Sequence, residues 1–180
     1  MTTYIALLRG INVSGHYKIK MAELKQLFIN LGFNNIITYI QSGNVIFESS
    51  EKNNSKIEEQ IVEQVKNEFG HTIKVLVITK DNLRNIFTSN PFLKDETIDT
   101  KALYVILLKE NYFVEGIKLI EPYITNKEEL KIVGNCAYIQ YPAGAGNSKL
   151  TINIIEKKLQ TVATSRNWRT ITKLVELSNK

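Results

Sequence analysis

Ile36-Ile37-Thr38-Tyr39-Ile40-Gln41-Ser42-Gly43-Asn44-Val45-Ile46-Phe47 reads as two apolar strands folded back on a polar turn. Residues 36–41 and 45–47 supply the β-branched and aromatic side chains that suit a pleated surface. Ser42-Gly43-Asn44 supplies the turn. This hairpin is the middle of a longer pattern. Upstream, Tyr4 to Leu8 is an apolar strand ending at Arg9-Gly10. Met21, Leu24, Leu27, Phe28 and Leu31 then recur at helical spacing, with Gly32 in a C-cap position. Downstream, Ser55 stands three before Glu58, the spacing of a capping box. The helix it is expected to open carries Ile57, Ile61, Val65 and Phe69 on one stripe and closes at Gly70. Ile73 to Ile78 is again a strand. The order β-α-β-β-α-β is that of a ferredoxin-like unit. A further helix is expected over Asp81–Thr88, stopped by Asn90-Pro91.

A second hairpin signal, Gly134-Asn135, lies 91 positions beyond Gly43-Asn44. The elements around it repeat the first set. A strand covers Ala102–Leu108, and a helix is expected around Tyr112–Ile120, ending near Pro122. Strands at 130–133 and 136–141 flank the turn. After a Gly144-Ala145-Gly146-Asn147 loop, Leu150, Ile154, Ile155 and Leu159 mark a helix. A short strand near 161–163 and a last helix carrying Trp168, Ile171 and Val175 follow. The predicted fold class is therefore α+β: two ferredoxin-like βαββαβ-type halves related by a pseudo-duplication, each followed by an extra helix. The halves are residues 1–90 and 91–180. The runs at 4–8 and 102–108 are apolar throughout rather than alternating, so both of their faces should be covered. The two halves are expected to pack as one body.

Composition narrows the function classes. The chain has 180 residues, 43% of them hydrophobic, which suffices for a real core. Net charge is +5, from 23 basic and 18 acidic residues, a mild excess that permits anionic partners without demanding them. Cys136 is the one cysteine, so no internal disulfide forms and an extracellular setting is not indicated. The start lacks a basic, then apolar, leader pattern, and no apolar run approaches the roughly 20 residues of a membrane helix. The expected location is cytoplasmic, with no membrane partner. His16 and His71 show no paired-ligand spacing, so no metal site and no cofactor are expected.

Four segments could carry chemistry. The loop from Arg9 to Lys20 holds Arg9, Asn12, Ser14, His16, Lys18 and Lys20 with glycines at 10 and 15. Glycines let backbone amides turn toward an anion that the basic side chains attract, although flexible turns need them too. Thr164-Ser165-Arg166-Asn167-Trp168-Arg169-Thr170 is expected to open the last helix. Two arginines there would oppose the helix dipole, a conflict that a bound anion resolves. Gly144 to Lys149 departs from the phosphate-loop pattern of nucleoside triphosphatases, and Asn147 or Ser148 serves as a helix cap. Gln41, Ser42 and Asn44 form the hairpin end, where Gln41 projects polar atoms. Cys136 reads as a small core residue, and Trp168 as a core anchor.

Ala6-Leu7-Leu8-Arg9-Gly10-Ile11-Asn12-Val13, Tyr39 to Phe47, Asn90-Pro91-Phe92, Ser148-Lys149-Leu150 and Thr164 to Thr170 together resemble the bacterial family catalogued as domain of unknown function 1697. The resemblance covers nearly the whole chain, and its motifs occur in the family's order. It implies a compact two-lobed fold of ferredoxin-like character and no particular activity. The family usually carries Gly-Gly where this chain has Ser14-Gly15, which weakens a backbone nest there. The family's motif positions fall on Arg9, Gly10, Asn12, Gln41, Ser42, Gly43, Asn44, Arg166, Asn167 and Trp168.

The expected ligand-binding residues are Arg9, Asn12, Lys18, Gln41, Ser42, Asn44, Arg166 and Asn167. The first reading is a protein that binds a small anionic or phosphorylated ligand. The alternatives are a nucleic-acid-binding module, which would show steep salt dependence, and an enzyme acting on a phosphorylated or nucleotide substrate. In the enzyme, Arg9 and Arg166 would stabilise charge and His16 would be the nearest general base. Ligand identity and oligomeric state are not set by the sequence.

Overall fold

The structure, a computed structural model, describes residues 1–180 except Ser14, Glu110, Asn126 and Lys180. The chain forms two compact units, Met1–Asn85 together with the chain end from Leu174, and Ile86–Lys173. The first contains β1 (Thr2–Arg9), α1 (Met21–Asn30), β2 (Asn34–Tyr39), β3 (Asn44–Ser49), α2 (Asn54–Phe69), β4 (Lys74–Thr79) and the start of α3 (Lys80–Thr88). Its strands make one antiparallel sheet in the order β2-β3-β1-β4. That is the ferredoxin-like arrangement: each helix crosses back so that the first and third strands are central.

Leu24, Leu27 and Phe28 of α1 and Ile57, Ile61 and Val65 of α2 lie on the helical stripes and are buried with Tyr4, Ala6 and Leu8 of β1. Ile5 and Leu7 project from the opposite face of β1 by the period-2 rule, and they too are buried. The unbroken apolar run in the sequence is thus a strand buried on both faces. Gly70 closes α2 in the left-handed conformation. The expected capping box is not formed. Asn53 caps α2 by accepting from the Lys56 amide at 3.2 Å, and Ser55 lies inside the helix. Glu58 instead turns inward, where its carboxylate accepts from the Val77 amide at 2.9 Å.

The second unit repeats the scheme with β5 (Leu103–Leu108), β6 (Glu129–Val133), β7 (Cys136–Gln140), α4 (Ile152–Leu159), β8 (Ala163–Asn167) and the first part of α5 (Trp168–Ser178). Its sheet order is β6-β7-β5-β8, again antiparallel, the counterpart of the first sheet. Both halves are therefore similar four-stranded sheets with helices after them, as a pseudo-duplication requires.

Three expectations need correcting here. The helix around Tyr112–Ile120 is replaced by two short 3-10 turns, Val114–Ile117 and Glu121–Tyr123. Gly116 sits at the middle of the segment and a Cβ there would collide with the Lys158 carbonyl. Close approach to α4 thus requires a glycine, which weakens a regular helix, and Pro122 stands inside the second turn, where it cannot continue a helix from the first. The cap of α4 is Thr151, which accepts from the Ile154 amide, not Asn147 or Ser148. Arg166 lies in β8 and not in a helical turn. The dipole conflict therefore does not exist for Arg166, and only Arg169 stands in the first turn of α5.

The hairpins also differ in length. Tyr39 pairs with Asn44 around four residues, whereas Val133 pairs with Cys136 around two. Register makes Asn44 opposite Leu7 the counterpart of Cys136 opposite Leu107. The structural repeat is one residue out of step with the Gly-Asn repeat in the sequence.

Candidate functional site

The long loop after β1 is held by one side chain. Asn12 donates through Nδ2 to the Ile19 carbonyl at 2.8 Å and to the Gln41 carbonyl at 2.9 Å, and its Oδ1 accepts from the Ile19 amide at 2.9 Å. Asn12 has a left-handed backbone, φ 56°, which asparagine tolerates better than most residues. The Asn12 amide also donates to the Tyr17 carbonyl at 3.2 Å, and the His16 amide to the Val13 carbonyl at 2.9 Å. Ile11 and Ile19 are buried on either side of this clamp. Val13, Gly15, His16, Tyr17 and Lys18 project beyond it and are exposed. Ser14, named with the candidate loop, lies outside the described residues.

The β2–β3 turn meets this loop because Gly43 has no side chain. A Cβ on Gly43 would lie 2.8 Å from Leu8 Cβ and 2.9 Å from two Ile11 carbons, and Gly43 has φ 75°. Its carbonyl accepts from the Leu8 amide at 2.8 Å. Asn44 is fully buried and donates to the Tyr39 carbonyl and to Ser42 Oγ at 3.1 and 3.0 Å. Ile40 is left-handed at φ 47°, an unfavourable conformation for a β-branched residue. Gln41, next to it, is exposed with its carbonyl tied to Asn12.

Between loop and turn lies a groove of about 670 Å³ whose walls include Asn12, Gly15, Lys18, Lys20, Glu23 and Gln41. Three of the expected binding residues, Asn12, Lys18 and Gln41, are brought together there. Lys20 Nζ is 3.3 Å from Glu23 on the next helical turn. Lys20 is also the residue preceding α1, and no side chain caps that helix. Arg9, at the end of β1, pairs in register with Lys74 of β4. Ser42 and Asn44 are not in the groove wall, since their polar atoms serve the turn.

Arg166 and Asn167 belong to the second unit. Arg166 is buried; its Nη1 donates to Thr164 Oγ1 at 2.9 Å and to the Ser165 carbonyl at 2.7 Å. Burial lowers the guanidinium pKa to about 10. Asn167 Oδ1 accepts from the Thr170 amide at 2.9 Å, which makes it the N-cap of α5. Trp168 is buried and stacks on Phe87 with centroids 5.1 Å apart and planes 6° from parallel. The Cys136 thiol is buried and its pKa is pushed up to about 12 by desolvation, the opposite of an activated nucleophile.

Among the described residues no cluster of three His, Cys, Asp or Glu side chains has the makings of a metal site. No helix among them is long and apolar enough to cross a membrane. Sequence reasoning passed over one charged group at the groove, Glu23. Glu23 carries no signal beyond its place in the first turn of α1.

No curated protein matches the sequence. Among solved structures, the conserved bacterial protein SP0830 from Streptococcus pneumoniae is similar over 98% of both chains, with a TM-score of 0.78 and 21% sequence identity. At that identity the likeness is one of fold. The sequence pattern of the family described as "Protein of unknown function (DUF1697)" matches residues 1–138. With its motif residues setting the clamp and the turn, the chain belongs to the DUF1697 family.

Proposed function

We propose that the groove beside the Asn12 clamp binds a small anionic, phosphorylated ligand. The observation that carries this reading is the grouping of Lys18, Lys20 and Gln41 around one concave volume of about 670 Å³. That volume lies in the range of small-molecule sites. Two ammonium groups supply charge, and the Gln41 amide supplies direction. The first turn of α1 opens beside them with no side-chain cap, so its leading amides are available to a ligand oxygen. The rigid clamp beneath the loop reduces the ordering cost of binding. Glu23 works against an anion and holds Lys20 at the rim.

Titration calorimetry with inorganic pyrophosphate at low salt tests the reading. Binding should weaken about two- to fivefold in Lys18→Ala, the size of one exposed charge. It should strengthen by a similar factor in Glu23→Gln. Absence of binding at millimolar pyrophosphate, or affinity indifferent to both substitutions, would overturn it.

A further inference from the structure

One residue in the groove wall is out of keeping with a site for a bare anion. Glu23 lines the groove together with Lys18, Lys20 and Gln41. Its side chain is 48% exposed, and the pairing of its Oε1 with Lys20 Nζ at 3.3 Å restrains it there. The second carboxylate oxygen, Oε2, is outside that pair. Asn12 also lines the groove, but its amide is spent on the backbone of Ile19 and Gln41. The side chains left to read a ligand are two ammonium groups, one amide and one carboxylate. The apolar part of the wall is aliphatic, Ile19 and Met21, and none of the described residues that line it is aromatic.

We infer that the groove takes a phosphate ester of a sugar or other polyol, with the phosphate at Lys18 and Lys20 and a hydroxyl group donating to Glu23. The inference rests on the groove's being an anion site, as proposed above, and it names the rest of the ligand. A bare phosphate meets Glu23 only as a like charge. A hydroxyl meets it as a donor, and an ionised carboxylate is an acceptor alone. Hydrogen bonds to such a charged acceptor are stronger than neutral ones. The Gln41 amide both donates and accepts, which matches a second hydroxyl. The aliphatic wall suits the C–H surface of a carbon chain. An ammonium group on the ligand would have to displace Lys20 from Glu23, whereas a hydroxyl joins the pair that exists. A groove of about 670 Å³ has room for a single sugar phosphate.

The test compares methyl phosphate, ribose 5-phosphate and phosphoethanolamine on the full chain, by calorimetry at fixed salt and pH. Methyl phosphate and ribose 5-phosphate carry the same charged group, so the ratio of their affinities isolates the hydroxyl groups. Ribose 5-phosphate should bind more tightly by about fivefold or more, the contribution of one hydrogen bond to a half-exposed charged group. Glu23→Ala should bring that ratio to about one while methyl phosphate binds no more weakly than before. Lys18→Ala should weaken both ligands alike and keep the ratio. Equal affinity of the wild type for the two esters overturns the inference and leaves the anion site standing. A preference that survives Glu23→Ala also overturns it, since the hydroxyls would then be read elsewhere. Tighter binding of phosphoethanolamine than of ribose 5-phosphate overturns it in favour of an ammonium at Glu23. If no phosphate binds, the anion site and the polyol phosphate fail together.

Discussion

The Asn12 side-chain amide donates to the Gln41 backbone carbonyl at 2.9 Å, joining two loops that are 29 residues apart in sequence. The same side chain bridges both backbone groups of Ile19. One residue therefore closes an eight-residue loop on itself and fastens it to the neighbouring hairpin. The consequence is a rigid base under an exposed tip, and that is what gives the groove a fixed wall.

Asn12→Ala should destabilise the protein by about 1–3 kcal/mol, because it leaves the Ile19 backbone groups unpaired and puts alanine at a positive φ. Asn12→Asp keeps the acceptor and loses both donated bonds, so it should fall between. Denaturant unfolding gives the size. Amide exchange at Ile19 should rise first in both variants. Unchanged exchange there would mean that the clamp does not hold the loop.

Gly43 and Gly134 sit in corresponding turns and have different reasons to be glycine. A Cβ at Gly43 lies 2.8 Å from Leu8 Cβ, whereas one at Gly134 meets nothing within 4 Å. Gly134→Ala should cost about 1 kcal/mol, the left-handed penalty alone. Gly43→Ala adds overpacking against β1 and should cost about 2 kcal/mol or more. Thermal melts of the two variants should differ clearly, and equal melting temperatures would contradict the close approach.

Each sheet has an edge strand closed by a glutamate from the preceding helix. Glu58 accepts from the Val77 amide of β4, and Glu156 accepts from the Ala163 amide of β8, both at 2.9 Å. An uncovered edge amide is a template for pairing with another chain. Glu58→Ala and Glu156→Ala should each destabilise by about 1–3 kcal/mol, since the hydrogen-bonded partner is charged. Light scattering should detect faster aggregation in the first, whose edge strand Lys74–Thr79 is the more apolar. Aggregation at the wild-type rate would show that the edge is covered by other means.

Cys136 has a thiol pKa pushed up to about 12 by burial. At pH 8 only about one thiol in ten thousand would be ionised in the folded protein, so a thiol-directed disulfide reagent should react at the rate of unfolding. The sign for stability follows from an acid whose folded pKa is raised. The unfolded thiol ionises first, so stability falls as pH rises from the ordinary thiol range toward 12. Cys136→Ser should flatten that alkaline slope. Rapid labelling of the folded protein would contradict the buried position.

Most of the duplicated strand–helix order was legible because both signals it needs are local; the helix expected around Tyr112–Ile120 is the exception. Apolar residues at spacings of two or of three and four decide strand or helix within a dozen positions, and Gly43, Gly70 and Gly134 punctuate them. The loop, the hairpin end and the Arg166 segment were picked out as unusual on the same local grounds. What those residues do was less legible. Asn12 and Asn44 looked like ligand groups, yet their amides bond to backbone groups of the chain itself. Asn167 looked like a ligand group, yet its side chain caps the last helix.

By itself the sequence determined the element order of the first half, the hairpins of both sheets and the position of the long basic loop, because periodicity and turn chemistry act between near neighbours. Tertiary structure alone decided that Glu58 closes an edge strand 19 residues on, that Gly116 excludes a helix by its contact with Lys158, and that Lys18 and Gln41 line the same groove. Each of these depends on a contact between residues far apart along the chain. Hydrogen-bond partners and close approaches of that kind are fixed only when the sheets are assembled, and no local pattern encodes them.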